Sequence, residues 1–155
     1  MQAPRGSVVM KTLRINVSVL IVFLTIGLCY SEAWGLFDKA RAVVHSAKGL
    51  NYKEKGQWDK AIAEYNKAIE LDPKLAVAYV NRGIAYLQKG QFDQAISDCS
   101  KAIELNPKIA QAYLNRGVGY LNLDQSDRGC HDLQKACELG NCKGLRLAEN
   151  NGFCR

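Results

Sequence analysis

A period of 34 residues runs through this chain and decides what it can fold into. Ala42–Leu75, Ala76–Ile109 and Ala110–Lys143 lie over one another without a gap. Gly49, Gly83 and Gly117 fall in register, as do Tyr52, Tyr86 and Tyr120, and Ala68, Ala102 and Ala136. A fixed period of this length marks stacked supersecondary units, none of which can bury its apolar face alone.

Each repeat splits into two helical stretches around a turn. Ala42–Lys55 and Trp58–Leu71 flank Gly56-Gln57; Tyr79–Lys89 and Phe92–Leu105 flank Gly90-Gln91. Apolar residues recur three and four apart, as in Ala61, Ile62, Tyr65, Ala68 and Ile69, which is the spacing of an amphipathic helix and not of a strand. Pro73 and Pro107 follow Asp72 and Asn106 and bar the second helix from continuing. The third repeat departs from the pattern. Asp124 stands in place of the turn glycine, Gly129 in place of Ala61 and Ala95, and Asn141 in place of the proline. Gly49, Gly83 and Gly117 on the first helices, with Ala61, Ala95 and Gly129 on the second, are expected where paired helices approach closely. Arg82 and Arg116 recur with the repeat and are expected on solvated faces.

These residues resemble the tetratricopeptide repeat, whose pattern runs aromatic, Gly, Tyr, Gly, Ala, aromatic, Ala, Pro. In the second repeat it falls on Tyr79, Gly83, Tyr86, Gly90, Ala95, Cys99, Ala102 and Pro107. In the first it falls on His45, Gly49, Tyr52, Gly56, Ala61, Tyr65, Ala68 and Pro73. His45 and Cys99 are the departures. The resemblance covers Ala42–Gly140 and implies an all-α fold, a right-handed α-solenoid of about three helix-turn-helix repeats (42–75, 76–109 and a divergent 110–141) with a capping helix and tail over 142–155. It also implies a concave groove, lined by the first helices, that holds a peptide or helix of another protein. The facing residues would be Val43, Ser46, Leu50 and Lys53, then Val77, Val80, Ile84 and Leu87, then Gln111, Leu114, Val118 and Leu121. Asn81 and Asn115 lie close by, and the core of the patch is expected at Val77, Val80, Asn81, Ile84, Leu87, Leu114, Asn115 and Val118. Apolar residues at this spacing also suit a plain core. Some members of the family clamp a C-terminal carboxylate with lysine, asparagine and arginine. Of those five positions, held here by Ser46, Leu50, Asn81, Gln111 and Asn115, only Asn81 matches, so that clamp is not expected.

The first 33 residues stand apart. Arg5, Lys11 and Arg14 precede the apolar run Ile15–Cys29, and Ser31-Glu32-Ala33 supplies small residues at a cleavage site. That order is a secretory signal. It predicts cleavage after Ala33 and a periplasmic or secreted protein, resembling an exported bacterial type with a cysteine-containing cap. Met10 serves as a start as well as Met1. The run is short against the ~20 residues of a spanning helix, and a retained inner-membrane anchor is the alternative. A lead-in, Trp34–Arg41, follows, with Asp38 placed to cap a helix over about 38–55.

An exported chain can form disulfides. Cys130 and Cys137 are seven apart on one expected helix, about 10 Å along its axis, too far to bridge directly. A cap helix over Cys142–Asn151, antiparallel to it, brings Cys142 near Cys137 and Cys154 near Cys130. The pairs expected are therefore Cys137–Cys142 and Cys130–Cys154, with Cys99 unpaired in the core. The KAC triplet ending at Cys137, ahead of Cys142, also resembles Sel1-like repeats over a short stretch. A zinc site of three cysteines with His131 is the competing arrangement, against its spacing.

Removing the leader lowers the net charge from +6 to +4, with the signs interleaved as on solvated helix faces. No basic stripe with aromatics suits nucleic acid. The glycines are spaced by the repeat and form no phosphate loop, and no haem motif is present, so no cofactor is expected. His45 and His131 have no acid–base partner at a telling spacing, and no enzyme is expected. The chain reads as an adaptor or scaffold in the cell envelope whose partner is another protein. The alternative is a membrane-anchored assembly or chaperone-like factor, which would meet the membrane through the retained segment.

Overall fold

The computed structural model describes the backbone of residues 17–154 and the side chains of residues 34–154. Two compact units divide the chain, Met1–Leu36 and Phe37–Arg155, and the second, which holds the repeats, is described by itself. The apolar run Ile15–Cys29, on which the leader and anchor readings rest, lies outside the residues whose side chains are described. Among the described residues, no helix is long and apolar enough to cross a membrane.

The repeats resolve into α-helices: α1 (Val17–Glu54), α2 (Trp58–Leu71), α3 (Ala76–Gln88), α4 (Phe92–Leu105), α5 (Ala110–Asn122), α6 (Ser126–Glu138) and α7 (Lys143–Asn150). The chain is an all-α helical solenoid. The second helices of the first two repeats keep the bounds expected from sequence. α3 starts three residues early, because Leu75 and not Tyr79 leads into it. Asp38 does not cap a helix: α1 already runs through the lead-in, and Asp38 accepts from Arg41 one turn on, at 3.2 Å.

The turn chemistry follows from single residues. α3 closes with the Gly90 N–H donating to the Leu87 carbonyl and Gln91 N–H to that of Tyr86, at 3.0 and 2.9 Å. This is the glycine-dependent helix stop, with Gly90 at φ 72°. Gly56 does the same at φ 69°, and in the third repeat Asp124 adopts φ 58° without the glycine. At the other end, the Asp72 and Asn106 side chains accept from the backbone N–H of Lys74 and Lys108, at 3.0 and 3.1 Å, across the prolines. The third repeat has no proline, and α6 ends instead at Gly140, φ 96°.

Within each hairpin the first helix meets one side chain of the second. A Cβ added at Gly49 would lie 2.5 Å from the Tyr65 ring, one at Gly83 3.0 Å from Cys99 Sγ, and one at Gly117 3.0 Å from Leu133 Cγ. Tyr65, Cys99 and Leu133 are 34 residues apart and, among the described residues, are the three largest fully buried side chains. Between repeats, α2 packs on α3 and α4 on α5. Ala68, Ala78, Ala102 and Ala112 are fully buried there. At the start of the stack Asn51 is exposed where Ala85 and Gly119 are buried, a polar outer face against which, among the described residues, no earlier helix packs.

Arg82 and Arg116 are not on solvated faces; each is drawn between helices by a buried acid. Arg82 donates through Nε and Nη2 to both oxygens of Asp98, at 2.7 and 2.6 Å, and through Nη1 to Asn66 of the previous repeat, at 2.6 Å. Arg116 repeats this with Asp132, at 2.7 and 2.9 Å, and with Ser100 at 3.2 Å. In the first repeat Glu64 takes Lys67 and His45 Nδ1, each at 2.7 Å, and these bonds hold its carboxyl below the usual range.

Two substitution series test these links. Gly90→Ala should cost about 1–2 kcal/mol, since an L side chain is strained at that φ, whereas Asp124→Gly should be neutral or stabilise by up to about 1 kcal/mol. Arg116→Met strands the Asp132 carboxylate, which is 3% exposed, and should cost about 3–5 kcal/mol. Arg116→Met combined with Asp132→Leu should cost much less. Urea denaturation measures all four, and equal effects of the single and double changes would refute the account of the buried pair.

Candidate functional site

α3 packs on α5 as well as on its own hairpin partner, so the first helices of the second and third repeats form one layer. The outward side of that layer carries the candidate groove. Val77 is exposed, and Asn81, Ile84 and Leu87 on α3 are half-buried, as are Leu114, Val118 and Leu121 on α5. On α1, Val43 and Leu50 are exposed, Lys53 is half-buried and Ser46 is buried. Val80 is a correction. It is 5% exposed and packs with Ala102 and Ala112 under Tyr79, Ile84 and Ile109, because its turn of α3 faces the junction with the next repeat. It belongs to the core and not to the groove.

A row of amides crosses this face. Lys53 Nζ donates to Asn81 Oδ1 at 3.0 Å, joining α1 to α3. Gln111 Nε2 donates to Asn115 Oδ1 at 2.8 Å, and Asn141 Nδ2 to Gln111 Oε1 at 3.5 Å. Asn115 is 3% exposed and its Nδ2 has no partner. It sits beneath Gln111, a solvent-exposed side chain. Leu114 and Val118 are its aliphatic neighbours along α5.

At the far end the cysteines are brought together as Cys130–Cys154, with Cα atoms 5.5 Å apart, and Cys137–Cys142. All four are therefore committed, and the zinc arrangement with His131 does not form. Among the described residues, no group of three potential metal-binding side chains gathers. The cap helix α7 lies on the third hairpin. Leu133, Ala148 and Cys154 form its core, with Leu114, Leu121 and Leu145 packed around them. Cys99 is free and buried, and burial pushes its thiol up to about 12, with Asp98 adding to the effect.

The helical stack is similar to those of solved structures. The tetratricopeptide domain of Arabidopsis OM64 is 33% identical, superposes with a TM-score of 0.71, and is matched over 95% of its length by 74% of this chain. The chain belongs to the tetratricopeptide repeat family. Residues 49–90 match the family described as TPR repeat, and 76–109 that described as Tetratricopeptide repeat. The first tetratricopeptide domain of Spaghetti (RPAP3), bound to the HSP90 peptide SRMEEVD, is 31% identical over 73% of this chain and 94% of its own, with a TM-score of 0.69. The TPR2B domain of yeast Sti1, in a complex with pHsp70, is 29% identical over 73% and 86%, with a TM-score of 0.63. No curated protein matches the sequence.

Sequence reasoning missed the arginine networks of this tetratricopeptide stack. Their signal was present: Arg82 and Asp98, like Arg116 and Asp132, are 16 residues apart in consecutive repeats. It also missed that Gln111 covers Asn115, since side-chain contacts one turn apart carry no periodic mark.

The thiols give a direct check. In protein beginning at Trp34, no thiol should react with Ellman's reagent in the native state, one should react on unfolding without reductant, and five after reduction. Opening Cys130–Cys154, whose partners are 24 residues apart, should cost about 3.5 kcal/mol, and opening Cys137–Cys142, 5 apart, about 2 kcal/mol. More than one reactive thiol in the unfolded, unreduced protein would contradict the pairing.

Proposed function

We propose that this tetratricopeptide protein is an exported interaction module. It holds a peptide or helix of another protein in its concave face, as an adaptor or scaffold of the cell envelope. The observation that carries the reading is the unpartnered, buried Asn115 Nδ2 within a row of amides flanked by Ile84, Leu114 and Val118. A main chain needs its N–H and C=O groups met when water is displaced, and amides that both donate and accept suit that need. Relatives of the fold support the choice of ligand class, since one is seen with an HSP90 peptide. The five clamp positions hold Ser46, Leu50, Asn81, Gln111 and Asn115, none of them cationic, which disfavours an acidic C-terminal peptide. An uncharged, apolar segment fits better.

Export is supported by the order of charge and hydropathy in residues 1–33 and by two disulfides, which persist in oxidising compartments. A second reading, a membrane-anchored assembly or chaperone-like factor, is favoured by one observation: α1 runs without a break through Ala33. Mass measurement of the protein from cells separates the two, a start at Trp34 meaning cleavage.

Photocrosslinking in cells tests the groove. A crosslinker at Ile84 should capture a partner segment, and one at the exposed Gln94 on α4 should not. Asn115→Ala should weaken that segment, synthesised as a peptide, by about tenfold, the worth of one buried hydrogen bond. The peptide SRMEEVD should show no binding below about millimolar concentration. Equal capture from both positions, or tight binding of SRMEEVD, would overturn the proposal.

A further inference from the structure

The concave row does not stop at Leu121. Between α5 and α7 it opens into a cavity of about 270 Å³. Val118 and Leu121 form one wall, Leu133 the floor, and Leu147, Ala148 and Phe153 the far side. Asn122 and Asn151 are its polar lining, and no charged side chain lines it. Asn122 Nδ2 already donates to the Val118 carbonyl at 2.9 Å. Two features build the cavity. Gly144 lets α7 press onto the third hairpin, since a Cβ there would lie 2.8 Å from Leu133 Cδ2. The Cys130–Cys154 disulfide then anchors the chain immediately after Phe153.

The rim is unusual for a cap. The end unit of a solenoid ordinarily turns a polar face to solvent, yet Leu147 is 61% and Phe153 51% exposed. We infer that this cavity takes one bulky apolar side chain, leucine, methionine or phenylalanine, from the segment that lies in the concave face. The inference rests on the peptide-binding reading of that face and names which part of the segment is recognised. Continuity argues for this occupant. Val118 and Leu121 belong both to the concave row and to the cavity wall. They lie about 4.5 and 9 Å along α5 from Asn115. Extended chain advances about 3.3 Å per residue, so a carbonyl held by Asn115 places a side chain one to three residues away in the cavity. The volume suits one side chain and is far too small for a helix about 10 Å across. The uncharged lining excludes an acidic or basic side chain, whose desolvation nothing there would offset.

The test uses small amides and the full chain with both disulfides formed. N-acetyl-phenylalaninamide and N-acetyl-leucinamide, followed by ¹⁵N NMR, should bind at about millimolar concentration. Shifts should be grouped on Val118, Leu121, Gly144, Leu147 and Phe153. N-acetyl-alaninamide should move none of them. Leu147→Lys changes an exposed rim residue and should weaken both ligands at least tenfold with the thermal midpoint unchanged. Shifts elsewhere, equal shifts with the alanine amide, or an indifferent Leu147→Lys would overturn the inference. So would sedimentation showing a dimer that Leu147→Lys dissociates, since a second copy would then be the occupant. Amide binding does not depend on any partner. Failure of crosslinking from Ile84 beside successful amide binding therefore sinks the peptide face and the named occupant with it, leaving only the cavity's preference for an apolar side chain, and the reverse result sinks the cavity alone.

Discussion

Everything in this fold depends on how closely the two helices of a hairpin approach. Helix separation is set by the side chains at the contact, and in each repeat the first helix offers no side chain at that point. Gly49, Gly83 and Gly117 press against Tyr65, Cys99 and Leu133. The three facing groups differ greatly in size, and the structure accommodates each. Gly83 meets a small thiol and also the Ala95 carbonyl, 3.4 Å from where a Cβ would stand; Gly117 meets the Gly129 carbonyl at 3.0 Å. Where the second helix carries a smaller residue, the backbones themselves come close. The period therefore preserves a contact and not a particular residue pair.

The arginine networks act between repeats. A buried ion pair is weak evidence for net stability, because both charges lose water. Its geometry is more telling. The forked guanidinium of Arg82 reaches Asp98 of its own hairpin and Asn66 of the preceding one, and Arg116 repeats this with Asp132 and Ser100. A slip of one helix against the next would leave buried acids unpaired, at a cost of several kcal/mol. Apolar alanine contacts at Ala68, Ala78, Ala102 and Ala112 set how near the repeats lie; the arginines fix their register.

How much of this was legible in residues alone depended on the kind of signal. Turns and helix ends are written locally, and Gly56, Gly90, Pro73 and Pro107 placed them. Asp124 kept the left-handed turn without the glycine, which composition could not reveal but register could. Which side of a helix faces a groove is a harder matter. In a solenoid a first helix touches its own partner, the previous repeat and the next, so apolar residues occur on three sides. Val80 lies on the side facing the next repeat and Ile84 one turn further on lies nearer the surface, although their spacing is the same. Charge was a poor guide for a related reason. Arg82 and Arg116 look solvated until a buried acid 16 residues on is placed opposite them.

The cap links fold to surroundings. α7 has 8 residues, and among them only Ala148 is buried. Isolated helices below about 12 residues are marginal in water, so α7 depends on what holds it down. That support comes from Leu133 beneath Gly144 and from the disulfide that binds Cys154, itself 7% exposed, to Cys130. With the disulfide open, the tail carrying Phe153 is free to leave, and Leu133, Leu114 and Leu121 lose part of their cover. The wall of the concave row would then change shape at the end where the apolar cavity lies. The far wall of the cavity therefore depends on a covalent bond as much as on packing, because the 8 residues of α7 bury too little to hold it alone.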